Sequence, residues 1–254
     1  MCTITYLPLK GGYILTQSRD ESPLRRPATF PHFLDNEATV YPKDMEAGGT
    51  WIGLSAKGRT MCVLNGAFEP HERNPPYKKS RGLVMIDALQ HSNSLAFTHE
   101  YRFEGIEPFT IVSIEEPEGN VYVWDGQTMH ASGFALDKPK IWSSVPLYPA
   151  DIRMERESWF EAWYEAEWIP AIHNLSENED SERYMVRTAR TFHYDEGTRD
   201  PDNAIMMDRR GMVRTVSVTT TYAHKGVRRM YYQSRNETEP DAASVSIHQN
   251  TSKK

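Results

Sequence analysis

The chain is poor in the residue patterns that would assign it most quickly. It has only two cysteines, Cys2 and Cys62, in 254 residues. Two thiols cannot build a disulfide framework, and they suit a reducing, cytoplasmic setting. No apolar run reaches membrane-spanning length, and no signal peptide opens the chain, so no integral membrane segment is expected. The nine histidines form neither HExxH nor any other paired-ligand spacing, and CxxC is absent, so no metal is expected. Gly48-Gly49 leads into Thr50-Trp51 rather than into a phosphate-binding glycine loop, and no other cofactor motif occurs. The net charge is −6 with both signs interspersed; the short basic pairs are scattered, and no nucleic-acid footprint results.

What is present begins at Cys2. Removal of Met1, which a small second residue permits, would put a thiol and a free α-amine on one residue. Reference pKa values of about 8.5 and about 7.7–8.0 let the amine take the thiol proton near neutral pH. Thr3–Leu9 and Tyr13–Gln17 read as strands around the turn Lys10-Gly11-Gly12. Folding that hairpin about residues 10 and 11 sets Cys2 opposite Arg19, with Asp20 beside it. A fixed guanidinium there favours thiolate over thiol, and the carboxylate is available to orient the α-amine or Arg19. The alternative for Ser18-Arg19-Asp20-Glu21 is a solvated cluster capping a strand. Cys62, mid-strand between Met61 and Val63, is expected to be buried and inert.

Farther along, Ser22–Asp44 reads as a long Pro-rich loop. Gly48–Ser55 and Arg59–Leu64 form a second hairpin ending at Asn65-Gly66, and Arg81–His91 a buried helix. Phe109–Ile114 with Asn120–Trp124 is a third strand pair, and Lys140–Ser144 a short strand. Arg153–Trp168 is a helix whose aromatic stripe packs on a sheet. Asn174–Arg183 reads as an acidic linker, Met212–Tyr222 with Val227–Gln233 as the last strand pair, and residues 236–254 as a disordered tail. Serial hairpins with a few long helices make the chain α+β, one domain over residues 1–235.

Met1-Cys2, Ser18-Arg19-Asp20-Glu21 and Gly49-Thr50-Trp51-Ile52-Gly53 together resemble the NRDE, or transport-and-Golgi-organisation, family. That family is similar to N-terminal-nucleophile hydrolases such as choloylglycine hydrolases and penicillin V acylases, which cleave non-peptide amides without a cofactor. The resemblance implies a four-layer αββα sandwich of antiparallel sheets. It implies Cys2 as nucleophile, Arg19 and Asp20 beside it, Asn65 in the oxyanion hole, and Arg214 as a late arginine near the nucleophile. A plain turn at Asn65-Gly66 and an outward strand position for Arg214 are the alternatives. Two positions depart from the pattern: Ser18 and Ser144 stand where the family carries asparagine. The function implied is a cysteine amidase on a small-molecule amide, or else a carrier of an apolar ligand such as haem or lipid. Neither the substrate nor the oligomeric state is specified by these residues.

Overall fold

The computed structural model describes residues 2–33, 39–173, 175, 179–196, 200–235 and 243–248. Among the described residues fourteen strands fall into two sheets. The first contains β1 (Cys2–Leu9), β2 (Gly12–Glu21), β10 (Lys140–Ser143), β11 (Asp208–Arg209), β12 (Val213–His224), β13 (Val227–Ser234) and β14 (Ala243–His248). Its order is β10-β1-β2-β12-β13-β14, with β11 against β12. The second runs in order β3 (His32–Phe33), β4 (Thr39–Tyr41), β5 (Ile52–Ser55), β6 (Arg59–Asn65), β7 (Phe109–Glu115), β8 (Glu118–Trp124), β9 (Met129–Gly133). All pairings are antiparallel.

Helices α1 (Arg81–Gln90) and α2 (Ser94–Glu100) cover the second sheet. Helices α3 (Ala150–Trp163), α4 (Ile169–His173) and α5 (Glu179–Thr191) lie on the side of the first. Strand alternation explains the layers. Cys2, Ile4, Tyr6, Tyr13 and Leu15 point between the sheets into the main core, which α1 and α2 extend through Val84, Met85, Leu89 and Phe97. Leu7 and Ile14 point the other way and pack with Phe160, Trp168, Val186 and Phe192. The molecule is an α+β sandwich of four layers, helix, sheet, sheet, helix.

The first hairpin has the expected register, Cys2 opposite Arg19 and Leu9 opposite Gly12. Gly11 supplies the left-handed turn residue at φ +87°. Several expectations need correction. The stretch 22–44 is not all loop, because β3 and β4 add to the edge of the second sheet. The aromatic helix starts earlier, at Ala150, and after Trp163 it widens into a π-turn, Tyr164–Trp168. Trp168 is fully buried, whereas Trp159 lies on the exposed side. The acidic stretch is not a linker throughout, since α5 begins at Glu179; residues 174 and 176–178 lie outside the described residues. Within the expected tail, Ala243–His248 pairs with β13, whose outer edge would otherwise leave its backbone groups unpaired. The rest of 236–254 lies outside the described residues.

Candidate active site

β1 delivers Cys2 to the rim of the inter-sheet space. Its carbonyl accepts a hydrogen bond from the Ser144 N–H at 3.0 Å, just past the end of β10. Cys2 is 3% exposed and lines a cavity of about 390 Å³ together with Arg19, Trp51, Val63 and Asn65. Cys62 is fully buried deeper in the same core, and burial, followed by the proximity of Cys2, pushes its thiol pKa well up.

Arg19, directly across from Cys2, is buried and held on two sides. Its Nη2 lies 2.5 Å from Asp44 Oδ2, and its guanidinium sits 4.3 Å over the Trp51 ring. Asp44 reaches this position through a closed loop. Its N–H donates to the Gly49 carbonyl and its carbonyl accepts from the Gly48 N–H, with Gly48 at φ +72°. Oδ1 then accepts from the N–H groups of Glu46 and Ala47, and Oδ2 also from Arg25 Nε at 2.8 Å. Burial works to raise the Asp44 pKa. The Ala47 N–H, Arg25, Arg19 and the Glu46 N–H outweigh it and leave the group below its ordinary value. Thr50 fastens the next turn, its hydroxyl donating to the Pro42 and Ile52 carbonyls. The Thr50 N–H docks on the Gly82 carbonyl of α1. Gly49 is required at that contact, because a Cβ there would sit 2.3 Å from the Gly82 carbonyl carbon.

Asp20 is adjacent to Arg19 in sequence and on the opposite face of β2. It is fully buried, accepting from Thr215 Oγ1 at 2.7 Å and from the Tyr148 hydroxyl at 3.2 Å. Burial raises its pKa. The positive chain terminus opposes this most strongly, followed by the Thr215 hydroxyl, Arg156 and the Tyr148 hydroxyl. Of the two groups Asp20 is available to orient, Arg19 is taken by Asp44.

Asn65, the last residue of β6, lines the cavity beside Cys2. Its carbonyl accepts from Ser144 Oγ at 3.0 Å. Ser144 therefore ties the Cys2 and Asn65 strands together, one group to each backbone. The other departure, Ser18, also has a partner: its hydroxyl lies 2.7 Å from His193 Nδ1, and His193 Nε2 lies 2.8 Å from Thr5 Oγ1. His193 is fully buried, and burial, with Arg156 and Arg190 nearby, pushes its pKa down to about 3. It is neutral at physiological pH and sits on the face of β1–β2 away from the cavity.

Arg214 does not join the group. It pairs in register with Glu21 across β12 and β2, its buried Nε has no partner among the described residues, and it is not among the residues lining the Cys2 cavity. The bulge between Thr215 and Ser217 breaks the ladder next to it. Thus Cys2, Arg19 and Asn65 share one cavity, Asp20 lies buried on the opposite face of β2, and Arg214 stands apart. Asp44, Arg81 and Glu107, which also line the cavity, carry no sequence signal, because two loops and the start of α1, distant in sequence from Cys2, bring them in.

Among the described residues no group of three or more histidine, cysteine or acidic side chains could hold a metal, and no helix is long and apolar enough to cross a membrane. Solved structures share the fold at low identity. A mutant of the conjugated bile acid hydrolase from Clostridium perfringens superposes with a TM-score of 0.51 at 10% identity, covering 98% of this chain and 93% of the other. The Caenorhabditis elegans N-acylethanolamine-hydrolyzing acid amidase ortholog gives 0.53 at 13% identity, covering 86% and 92%. No curated protein sequence matches. The model of the family described as Transport and Golgi organisation 2 matches residues 1–177, and the chain belongs to that family.

Proposed function

We propose that the protein is an N-terminal-nucleophile cysteine hydrolase acting on the carbon–nitrogen bond of a small-molecule amide. The observation that carries this reading is the convergence of Cys2, Arg19 and Asn65 on one cavity. The reading requires Met1 to be removed, so that Cys2 bears the free amine.

In the first half-reaction the α-amine takes the thiol proton and Cys2 Sγ bonds to the amide carbonyl carbon. The carbonyl π pair moves to oxygen, where the Asn65 side-chain amide and a backbone N–H stabilise it. One such donor is worth about 3–4 kcal/mol in the transition state. The ammonium then protonates the leaving nitrogen, the C–N bond breaks, and a thioester remains. In the second half-reaction the amine accepts a proton from water as its oxygen attacks the thioester. The C–S bond breaks, the carboxylic acid leaves, and the thiol is restored. Arg19, clamped between Asp44 and Trp51, is a fixed cation at the start of this path. Ser144 holds the Cys2 and Asn65 backbones in mutual register.

A carrier of apolar ligands finds less support at this site, because eight charged side chains wall the cavity. The test is intact-mass analysis after incubation with a β-lactone acyl donor. Wild type is expected to begin at Cys2 and to gain one acyl group, and Cys2→Ser to gain none. Quantitative retention of Met1, or an adduct that survives Cys2→Ser, would sink the mechanism.

A further inference from the structure

The Cys2 cavity does not end at Asn65. A neighbouring space of about 270 Å³ shares Glu21, Arg25, Asn65, Arg73, Arg81 and Glu107 with it as walls, so the two are continuous. Their combined lining has five cationic side chains against three carboxylates, inside a chain whose net charge is −6. The imbalance is local. On one wall Arg19 and Arg25 are matched by Asp44 and Glu21, and Lys79 turns out to Asp87. On the facing wall a single carboxylate serves three groups. Glu107 lies 3.1 Å from Arg81 Nη2, 3.4 Å from Arg73 Nε and 3.3 Å from His71 Nε2.

We propose that Arg73 and Arg81 form a subsite for an oxyanion on the substrate, a carboxylate in first place, so that the amides this enzyme takes are acidic ones. This rests on the hydrolase reading and names its substrate class. A guanidinium carries five N–H donors. Among the described residues Arg81 has, beyond Glu107, only the Pro108 carbonyl at 3.4 Å, and Arg73 has no further partner. Donors in a planar fork suit a carboxylate, which accepts two of them side by side. Burial pushes the Arg81 pKa down, Glu107 only partly offsetting this, so a second anion would relieve an under-compensated charge. The subsite is also rigid where it meets the chemistry. Arg81 is the first residue of α1, behind the Ser80 cap, and α1 is pinned to Gly49-Thr50. The partial positive charge of that ten-residue helix adds to the same wall. Asn65 lines both spaces, so an anion held by Arg73 and Arg81 leaves the rest of a small molecule directed past Asn65 toward Cys2.

The experiment compares alkylation of Cys2 by iodoacetate and by iodoacetamide, two reagents that differ chiefly in charge. Cys2-peptide mass spectrometry gives the two rates, and a synthetic peptide with the same first residues gives the intrinsic ratio. In the intact protein the iodoacetate-to-iodoacetamide ratio is expected to exceed the peptide's by about tenfold, as a cationic cleft concentrates anions. It should fall toward the peptide's in Arg73→Gln/Arg81→Gln and part-way in Arg73→Gln alone, which alters only an exposed side chain and keeps the test available if the double variant unfolds. Protection by sodium acetate assigns the subsite to carboxylates, and stronger protection by inorganic phosphate assigns the oxyanion to a phosphate. A ratio equal to the peptide's, or a raised ratio that persists in both variants, overturns the proposal. A raised ratio without any β-lactone adduct would leave the anion subsite standing and remove the hydrolase reading alone.

Discussion

The two faces of β2 carry neighbouring residues into different environments. Arg19 faces the cavity, where its partner Asp44 also serves Arg25 and lies in a loop at the edge of the site. Ser18 and Asp20 face the other way, into a closed layer where polar groups are satisfied by other buried groups: His193 for Ser18, Thr215 and Tyr148 for Asp20. Arg156 completes that layer. It is fully buried, donating to Thr3 Oγ1 at 2.6 Å and to the Ala204 carbonyl at 2.5 Å, with its guanidinium 3.6 Å over Tyr148. One step along a strand separates the surface available for chemistry from the support that fixes it. The cavity face tolerates a lost contact because water can enter. The closed face cannot.

The largest effect should therefore come from the closed face. Arg156→Ala would leave the Thr3 and Ser143 hydroxyls and the Asn203 and Ala204 carbonyls short of a donor and open a void behind β1. A loss of about 3–5 kcal/mol is expected in urea unfolding. Arg19→Ala, on the cavity face, should cost about 1–3 kcal/mol. Equal losses from the two would erase the distinction between the faces.

Gly49→Ala probes the cavity wall itself. The new Cβ would fall 2.3 Å from backbone of Gly82, and backbone cannot yield as a flexible side chain would. A cost of about 1–3 kcal/mol is expected from such overpacking. Because α1 must move away from Thr50, the iodoacetate preference of Cys2 should fall with it. A variant with wild-type stability and wild-type preference would show that the docking of α1 on Gly49-Thr50 does not shape the site.

Much of this arrangement was legible in the chain, and the limits have physical reasons. Gly11 and the alternation on either side of it set the hairpin register, so the Cys2–Arg19 pairing followed from local geometry. Asn65 came from the family resemblance; the second hairpin alone located it only at a strand end before a turn. The side taken by Asp20 was also available, since consecutive strand residues face opposite ways; treating Arg19 and Asp20 as one cluster missed it. Asp44 was not legible, because its place depends on a loop closing over Gly48-Gly49. Nor was the Arg73–Glu107–Arg81 group, drawn from three separate stretches. Helix α5 escaped notice because its charged residues dominate and its core contacts are few, chiefly Val186 and Ala189. Ser144 read as a lost amide, whereas it links the Cys2 and Asn65 strands through their backbones.

His193 gives a smaller, pH-dependent effect on the closed face. Its folded pKa, about 3, lies below the ordinary value of about 6.5. The unfolded chain therefore binds a proton that the folded one refuses. Stability is fully present above pH 6.5 and lost as pH falls from there toward 3, with a slope approaching about 1.4 kcal/mol per pH unit. His193→Gln should flatten that part of the stability curve between pH 6.5 and 4. An unchanged slope would mean that another group titrates there.

The finest test sets the two acids on either side of β2 against each other. Asp44 has a lowered pKa, so its contribution is present above the unfolded carboxylate value and is lost as pH falls through the folded one. Asp20 has a raised pKa, because burial outweighs the chain terminus and its hydroxyl donors. Its contribution is present below the unfolded value and is lost as pH rises through the folded one. The two substitutions should thus move in opposite directions. Relative to wild type, Asp44→Asn is expected to be most destabilising near neutrality and to converge on wild type in acid. Asp20→Asn should improve against wild type as pH rises above the ordinary carboxylate value, since the amide removes the cost of a buried charge while keeping acceptor oxygen for Thr215 and Tyr148. Urea midpoints measured for both from acid to neutral pH decide it. Curves of the same sign would mean that Asp20 is as well compensated as Asp44, and that the closed face of β2 holds its charge as comfortably as the cavity face.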